Sequence, residues 1–188
     1  TREYQETTGS IILLLSLAAF FIALYIAQLV IRETSKKNSE IQFQATHDEL
    51  TKLVNRKEFN QRLKEAFNTA RDEHETHALC FLDLDNFKTI NDTCGHKAGD
   101  DLLIQLTKTI KNNIRSHDTL ARIGGDEFGL LLEGCSLEKG VEIAEGIVNL
   151  IKNYEFYWQD KKFHVGVSIG LVMITRSTKN IEKTLSQA

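Results

Sequence analysis

Hydrophobic and polar positions divide the chain into two unlike parts. From Ile11 to Ile31 no charged residue interrupts the apolar run, and Ser16, Tyr25 and Gln28 are its polar points. At about 1.5 Å per residue, a helix of that length crosses a hydrocarbon layer of about 30 Å. The run is too long for the apolar core of a secretory signal and has no small-residue cleavage site. Arg32, Lys36 and Lys37 follow it, whereas only Arg2 precedes it, which orients the C-terminal side toward the cytoplasm. The expectation is an extracytoplasmic remnant over 1–10, one transmembrane helix over 11–31 in the cell inner membrane, and a cytoplasmic remainder. Over the polar stretch 32–45, Ile31, Asn38, Ile41, Gln42 and Ala45 stand at roughly heptad spacing. That linker reads either as a short dimeric coil or as a solvated helical tether.

From Thr46 onward the pattern becomes periodic. After Asn55, a natural N-cap, Phe59, Leu63, Ala66, Phe67 and Ala70 share one helical face. Ala78 to Leu84 forms an apolar run ending in acids, as expected of a buried strand whose C-terminal end opens onto a polar site. A second helix is expected from about Ala98 to Ile114, with Leu102, Leu106 and Ile110 as its stripe. Thr119–Ile123 and Phe128–Leu132 flank Gly124-Gly125-Asp126-Glu127, a hairpin with acids at its tip and glycines free to take positive φ. A third helix carries Leu137, Val141, Ala144, Val148 and Ile151 as its stripe, and Phe163, Val165, Val167 and Ile169 alternate as a strand. The order β-α-β-β-α-β predicts an α+β fold, a split βαβ sheet of the ferredoxin-like or palm-like kind.

Composition narrows the function. The chain has 188 residues, and what remains after the apolar run suits one compact domain with a real core. A net charge of -3 gives no basic field, which argues against a nucleic-acid partner. Cys80, Cys94 and Cys135 are odd in number and widely spaced, so neither a disulfide framework nor a zinc site is expected. His74 and His77 read as solvent-facing members of a charged loop. A start at Thr1 and an end at Ala188 without a terminating pattern make the chain read as a fragment.

Two acidic clusters carry the candidate chemistry: Asp83 and Asp85 at the end of the first strand, and Asp126 and Glu127 on the hairpin turn. A split βαβ sheet makes the first strand and the hairpin neighbours. Carboxylates gathered there repel one another unless a divalent cation neutralises them, and hard oxygen ligands suit Mg²⁺, which commonly leaves positions for phosphates and water. Each acid alone is an ordinary strand-end or turn residue; the convergent set is not.

The motifs around these acids resemble those of the GGDEF family of diguanylate cyclases. Arg122-Ile123-Gly124-Gly125-Asp126-Glu127-Phe128 contains the signature. Asp48-Glu49-Leu50-Thr51-Lys52-Leu53-Val54-Asn55-Arg56 is similar to D-x-L-T-G-L-x-N-R, with Lys52 in place of the glycine. Asp83-Leu84-Asp85-Asn86-Phe87-Lys88, Asn91-Asp92, Gly95-His96 and Gly99-Asp100 match D-x-D-x-F-K-x-x-N-D-x-x-G-H-x-x-G-D. Several motifs in the right order make a specific signal.

That resemblance implies roles. Asp83, Asp126 and the Leu84 carbonyl would bind Mg²⁺, with Mn²⁺ as a substitute, and Glu127 with Asp126 would form the catalytic pair. Asn86, Phe87 and Lys88 would meet the triphosphate of GTP, and Asn91 and Asp100 would read its guanine edge, whose N1 and N2 hydrogens adenine lacks. Arg115 and Asp118, an R-x-x-D five residues before Gly124, would form a site where cyclic di-GMP binds and inhibits. The implied enzyme acts as a homodimer over residues 46–188, truncated before a family helix bearing A-K-x-x-G-R. The segments Phe156–Trp158 and Val167–Val172 also resemble the GGDEF half of proteins with a C-terminal EAL phosphodiesterase domain. The rival reading is therefore a non-catalytic GTP-binding module that regulates such a domain.

Overall fold

A computed structural model describes residues 2–178, with backbone alone for residues 2–19 and for residue 23. Residues 179–188, and many side chains of the expected membrane span, lie outside the described residues. The chain divides into two compact units, Thr1–Ala45 and Thr46–Ala188.

The first unit belongs to one helix, α1 (Arg2–Thr46). Every large apolar side chain described from Phe20 to Ile31 is exposed. Its polar stretch is locally satisfied: the Thr34 hydroxyl donates to the Val30 carbonyl, and Lys37 pairs with Glu33 one turn back. Among the described residues no helix is long and apolar enough to cross a membrane.

The second unit is a mixed sheet with helices on both faces. Its elements are β1 (Val54–Asn55), α2 (Arg56–Asp72), β2 (His77–Asp85), α3 (Phe87–Cys94), α4 (His96–Lys111), β3 (Thr119–Arg122), β4 (Glu127–Leu132), α5 (Leu137–Lys152), β5 (Glu155–Trp158), β6 (Lys161–His164) and β7 (Gly166–Ile174). The main sheet runs β1-β3-β4-β2-β7, and β5 and β6 form a separate hairpin. β2 pairs antiparallel with β4 on one side and β7 on the other, while the short β1 lies parallel to β3. The four principal strands thus keep the predicted split βαβ order.

Alternation along the strands feeds two cores. Leu79 and Leu131 face α2, where Phe59, Leu63, Ala66 and Ala70 are buried against them. Ala78, Cys80, Leu82 and Leu84 face the other way, toward Leu102, Leu106 and Ile110 of α4 and Ile147 and Ile151 of α5. α2 begins where expected, with the Asn55 side chain accepting from the Glu58 N–H at 3.0 Å.

The structure corrects several expectations. The expected second helix is α4, which begins at His96 and ends at Lys111 rather than Ile114; α3 before it was not expected, and Gly95, at φ 85°, turns the chain between the two. Gly124 and Gly125 lie outside the left-handed region; a Cβ at Gly124 would meet only the movable end of the exposed Glu127 side chain. On α5 the buried face is Gly140, Ile147 and Ile151, while Leu137 and Val141 are exposed. Gly140 sets that rotation, since the added Cβ would come within 3.1 Å of the Ala78 methyl. His77 is buried at the start of β2, accepting from the Gly134 N–H at Nδ1 and bonded through Nε2 to the Thr69 hydroxyl. The expected strand through Phe163 and Val165 breaks between β6 and β7.

Candidate active site

The register of β2 against β4 brings the two acidic clusters together. Asp83 stands directly opposite Glu127, and the next backbone group, Leu84 N–H, donates to the Asp126 carbonyl at 3.3 Å. Asp83, Leu84, Asp126 and Glu127 therefore share one corner of the sheet. On the other side Ser168 of β7 lies opposite Asp83, and its hydroxyl donates to Asp85 Oδ1 at 2.9 Å. Partial burial pushes the Asp83 carboxyl above its ordinary value, and the charges of Asp126, Glu127 and Asp85 push it further. The proximity of like charges is thus expressed in the titration of one of them.

The turn itself is held from below. Ile123 and Gly124 both donate backbone N–H groups to the Glu127 carbonyl, at 2.9 and 3.3 Å. The Arg122 guanidinium donates to the Gly124 carbonyl from Nε and to the Gly125 carbonyl from Nε and Nη2, at 2.9–3.1 Å. Its remaining arm reaches Asp48, with Nη1 at 3.2 Å from Oδ1 and 3.4 Å from Oδ2. Asp48 also accepts from the Thr51 N–H and hydroxyl at 2.8 and 2.7 Å. Burial alone would raise the Asp48 carboxyl; the Thr51 hydrogen bonds and the Arg122 charge outweigh it and hold the group below the usual carboxylate range.

A cavity of about 620 Å³ opens beside the acids, lined by Asp83 and Glu127 with Arg56 and Asn60 of α2 and Phe81 and Ser168 of the sheet. Asn86, Phe87 and Lys88 follow β2 directly. Asn86 is left-handed, at φ 62°, and makes no side-chain cap, so the first N–H groups of α3 have no partner from it and can meet an anion. The Phe87 ring belongs to the core, whereas Lys88 is exposed. Asn91 and Asp100 lie outside the lining of that cavity. Asn91 Oδ1 is buried with no partner among the described residues and would clash with a Cβ at position 99, so Gly99 is what lets α4 pass it. Asp100 follows on the exposed face.

Among the described residues no group of three or more His, Cys, Asp or Glu side chains is arranged to hold a metal ion. Asp83 and Asp126 with the Leu84 carbonyl could supply a smaller donor set, of the kind Mg²⁺ completes with phosphate and water. The raised Asp83 carboxyl fits it, since a cation at that corner would relieve the repulsion.

Arg115 and Asp118 close a turn of their own. Asp118 Oδ2 accepts from the Arg115 N–H at 3.0 Å, and the Asp118 N–H donates to the Arg115 carbonyl at 3.2 Å. The Asp118 side chain is only 1% exposed, whereas Arg115 is free toward solvent. Both line a separate cavity of about 490 Å³.

Sequence reasoning gave no role to Asp48, Thr51, Arg122 or Ser168. Each falls inside a quoted motif or segment, but the part Ser168 plays depends on the β2–β7 register, which linear spacing does not give.

Residues 45–188 match the family described as "Diguanylate cyclase, GGDEF domain", and the chain belongs to that family. It is 40% identical over 158 residues to the probable diguanylate cyclase DgcE of Escherichia coli K12, covering 84% of this chain and 14% of that protein. Identity is 35% over 173 residues with the bifunctional diguanylate cyclase/cyclic di-GMP phosphodiesterase MucR of Pseudomonas aeruginosa, covering 87% and 25%. The chain therefore spans a quarter or less of these relatives' length. In fold it is similar to the coiled coil and GGDEF domain of DgcB from Caulobacter crescentus, solved in complex with c-di-GMP, with a TM-score of 0.79, 23% identity and coverage of 87% and 86%.

Proposed function

We propose that this chain is the GTP-binding catalytic core of a diguanylate cyclase, which condenses two GTP into cyclic di-GMP and two pyrophosphates. The observation that carries this reading is the Asp83–Glu127 register, which gathers both acidic clusters at one corner beside a cavity. Names of relatives such as DgcE point the same way.

Each step falls to named groups. Asp83, Asp126 and the Leu84 carbonyl would hold Mg²⁺ or Mn²⁺, which when bound would offset charge on the reacting phosphate. The N–H groups at the start of α3 and the Lys88 ammonium receive the triphosphate, while Asn91 and Asp100 select guanine. Glu127 positions the attacking 3′-hydroxyl, and Arg122 fixes the turn that presents Glu127 and Asp126. Two such domains face each other in a homodimer, so that positioning supplies much of the rate. Arg115 and Asp118 bind cyclic di-GMP and restrain turnover. The exposed apolar run of α1 supports a membrane anchor with the catalytic unit cytoplasmic, since a helix apolar all round needs an apolar surrounding.

Chromatography of the full-length protein incubated with GTP and Mg²⁺ tests this directly, the expected product being cyclic di-GMP with two equivalents of pyrophosphate. One observation favours a second reading: MucR is named for both cyclase and phosphodiesterase activities. GTP binding without product, together with GTP stimulation of a linked phosphodiesterase, would select the regulatory module instead.

A further inference from the structure

The 490 Å³ cavity is charged in a way that the Arg115–Asp118 turn alone does not explain. Its lining includes Lys52, Arg62, Lys111 and Arg115, against the single carboxylate of Asp118. That carboxylate is buried and already receives the Arg115 N–H. Arg62 is engaged as well, pairing with Glu58 at 3.0 Å and donating to the Thr119 hydroxyl at 3.1 Å. Among the described residues the side chains of Lys52, Lys111 and Arg115 have no ion pair or hydrogen bond. Three uncompensated cations round one concavity, in a chain of net charge -3, focus a positive potential there.

Lys52 adds an independent observation. It stands at φ 59°, where an L side chain is strained, and its N–H donates to the Asp48 carbonyl at 3.0 Å inside the turn that carries Asp48 to Arg122. Glycine would take this conformation without cost. A long cationic side chain held there at a local cost points to use of that side chain.

We infer that Lys52 and Lys111 extend the Arg115–Asp118 turn into a dianion pocket, in which they and Arg115 divide between them the two phosphodiesters of cyclic di-GMP. This rests on the reading of Arg115–Asp118 as a product site and adds the residues that set its affinity and its charge. Arg115 grips one phosphodiester through its planar fork. The Lys52 and Lys111 ammonium groups approach the other as point charges from across the cavity, so their contribution is strongly salt-dependent.

The test is calorimetric titration of cyclic di-GMP into the full-length protein, at low and at physiological ionic strength, for wild type, Lys52→Gly, Lys111→Gln and Arg115→Ala. Lys52→Gly removes the cation while supplying the residue its backbone prefers, so its melting temperature should equal or exceed that of wild type. Each lysine variant is expected to weaken binding by about three- to tenfold at low salt, with a smaller loss between the two salt conditions than wild type shows. If both lysine variants bind as wild type does while Arg115→Ala loses affinity, the inference is wrong and the product site consists of Arg115–Asp118 alone. If wild type itself fails to bind cyclic di-GMP, the product-site reading falls and the inference with it.

Discussion

Arg122 ties the turn that carries Asp126 and Glu127 to Asp48. Its guanidinium spans three acceptors that a lysine cannot reach together: two turn carbonyls and the Asp48 carboxylate. Side-chain exposures of 16% and 23% make the pair half-buried, so removing one partner strands the other at about 1–3 kcal/mol. Arg122→Ala should lower the unfolding free energy by that amount, read as a lower urea midpoint at an unchanged slope, and Arg122→Lys should recover less than half of it. The stability lent by Asp48 is present above the ordinary carboxylate range and is lost as pH falls through its lowered value, so the Arg122→Ala deficit should shrink in acid. Asp83 has the opposite sign. Its raised carboxyl makes the folded state the better proton acceptor, and the charged form weakens the fold near neutrality. Asp83→Asn should therefore raise the melting temperature of metal-free protein at neutral pH, with the gain fading in acid. The same substitution should abolish any further stabilisation by Mg²⁺, and an equal Mg²⁺ response in wild type and Asp83→Asn would remove Asp83 from the donor set.

Among the elements, α2 and β2 were legible because a single signal dominated each: a cap and one-faced stripe in the first, a continuous apolar run in the second. Asn55→Ala should cost about 1 kcal/mol through the lost Glu58 N–H acceptor, measured by chemical denaturation; no change would mean that packing alone fixes the start of α2. α3 escaped notice because Phe87–Cys94 has only eight residues, with Phe87 and Ile90 as its buried positions, too few to establish a helical period. The face of α5 was misread for the opposite reason. Apolar side chains surround that helix, so the stripe is decided by how closely Gly140 approaches Ala78, a tertiary fact. His77 was misplaced similarly, since polar neighbours in sequence conceal the Thr69 and Gly134 partners that satisfy its ring.

For the whole molecule, convergence of the acids was legible because topology alone makes the first strand and the hairpin neighbours, and the motifs around them match one family. What linear spacing could not yield was the Asp48–Arg122 link across the sheet edge, or the grouping of Lys52, Lys111 and Arg115 about one cavity. On the proposed function, Asp83 at the end of β2 and Asp126 on the turn before β4 make a metal-dependent site that condenses GTP. Production of cyclic di-GMP from GTP and Mg²⁺ by full-length wild type and Asp126→Ala, with circular dichroism to show that both are folded, tests that claim most directly. Product is expected from wild type, with a loss of about a hundredfold or more in the variant. Equal rates from the two proteins would contradict it.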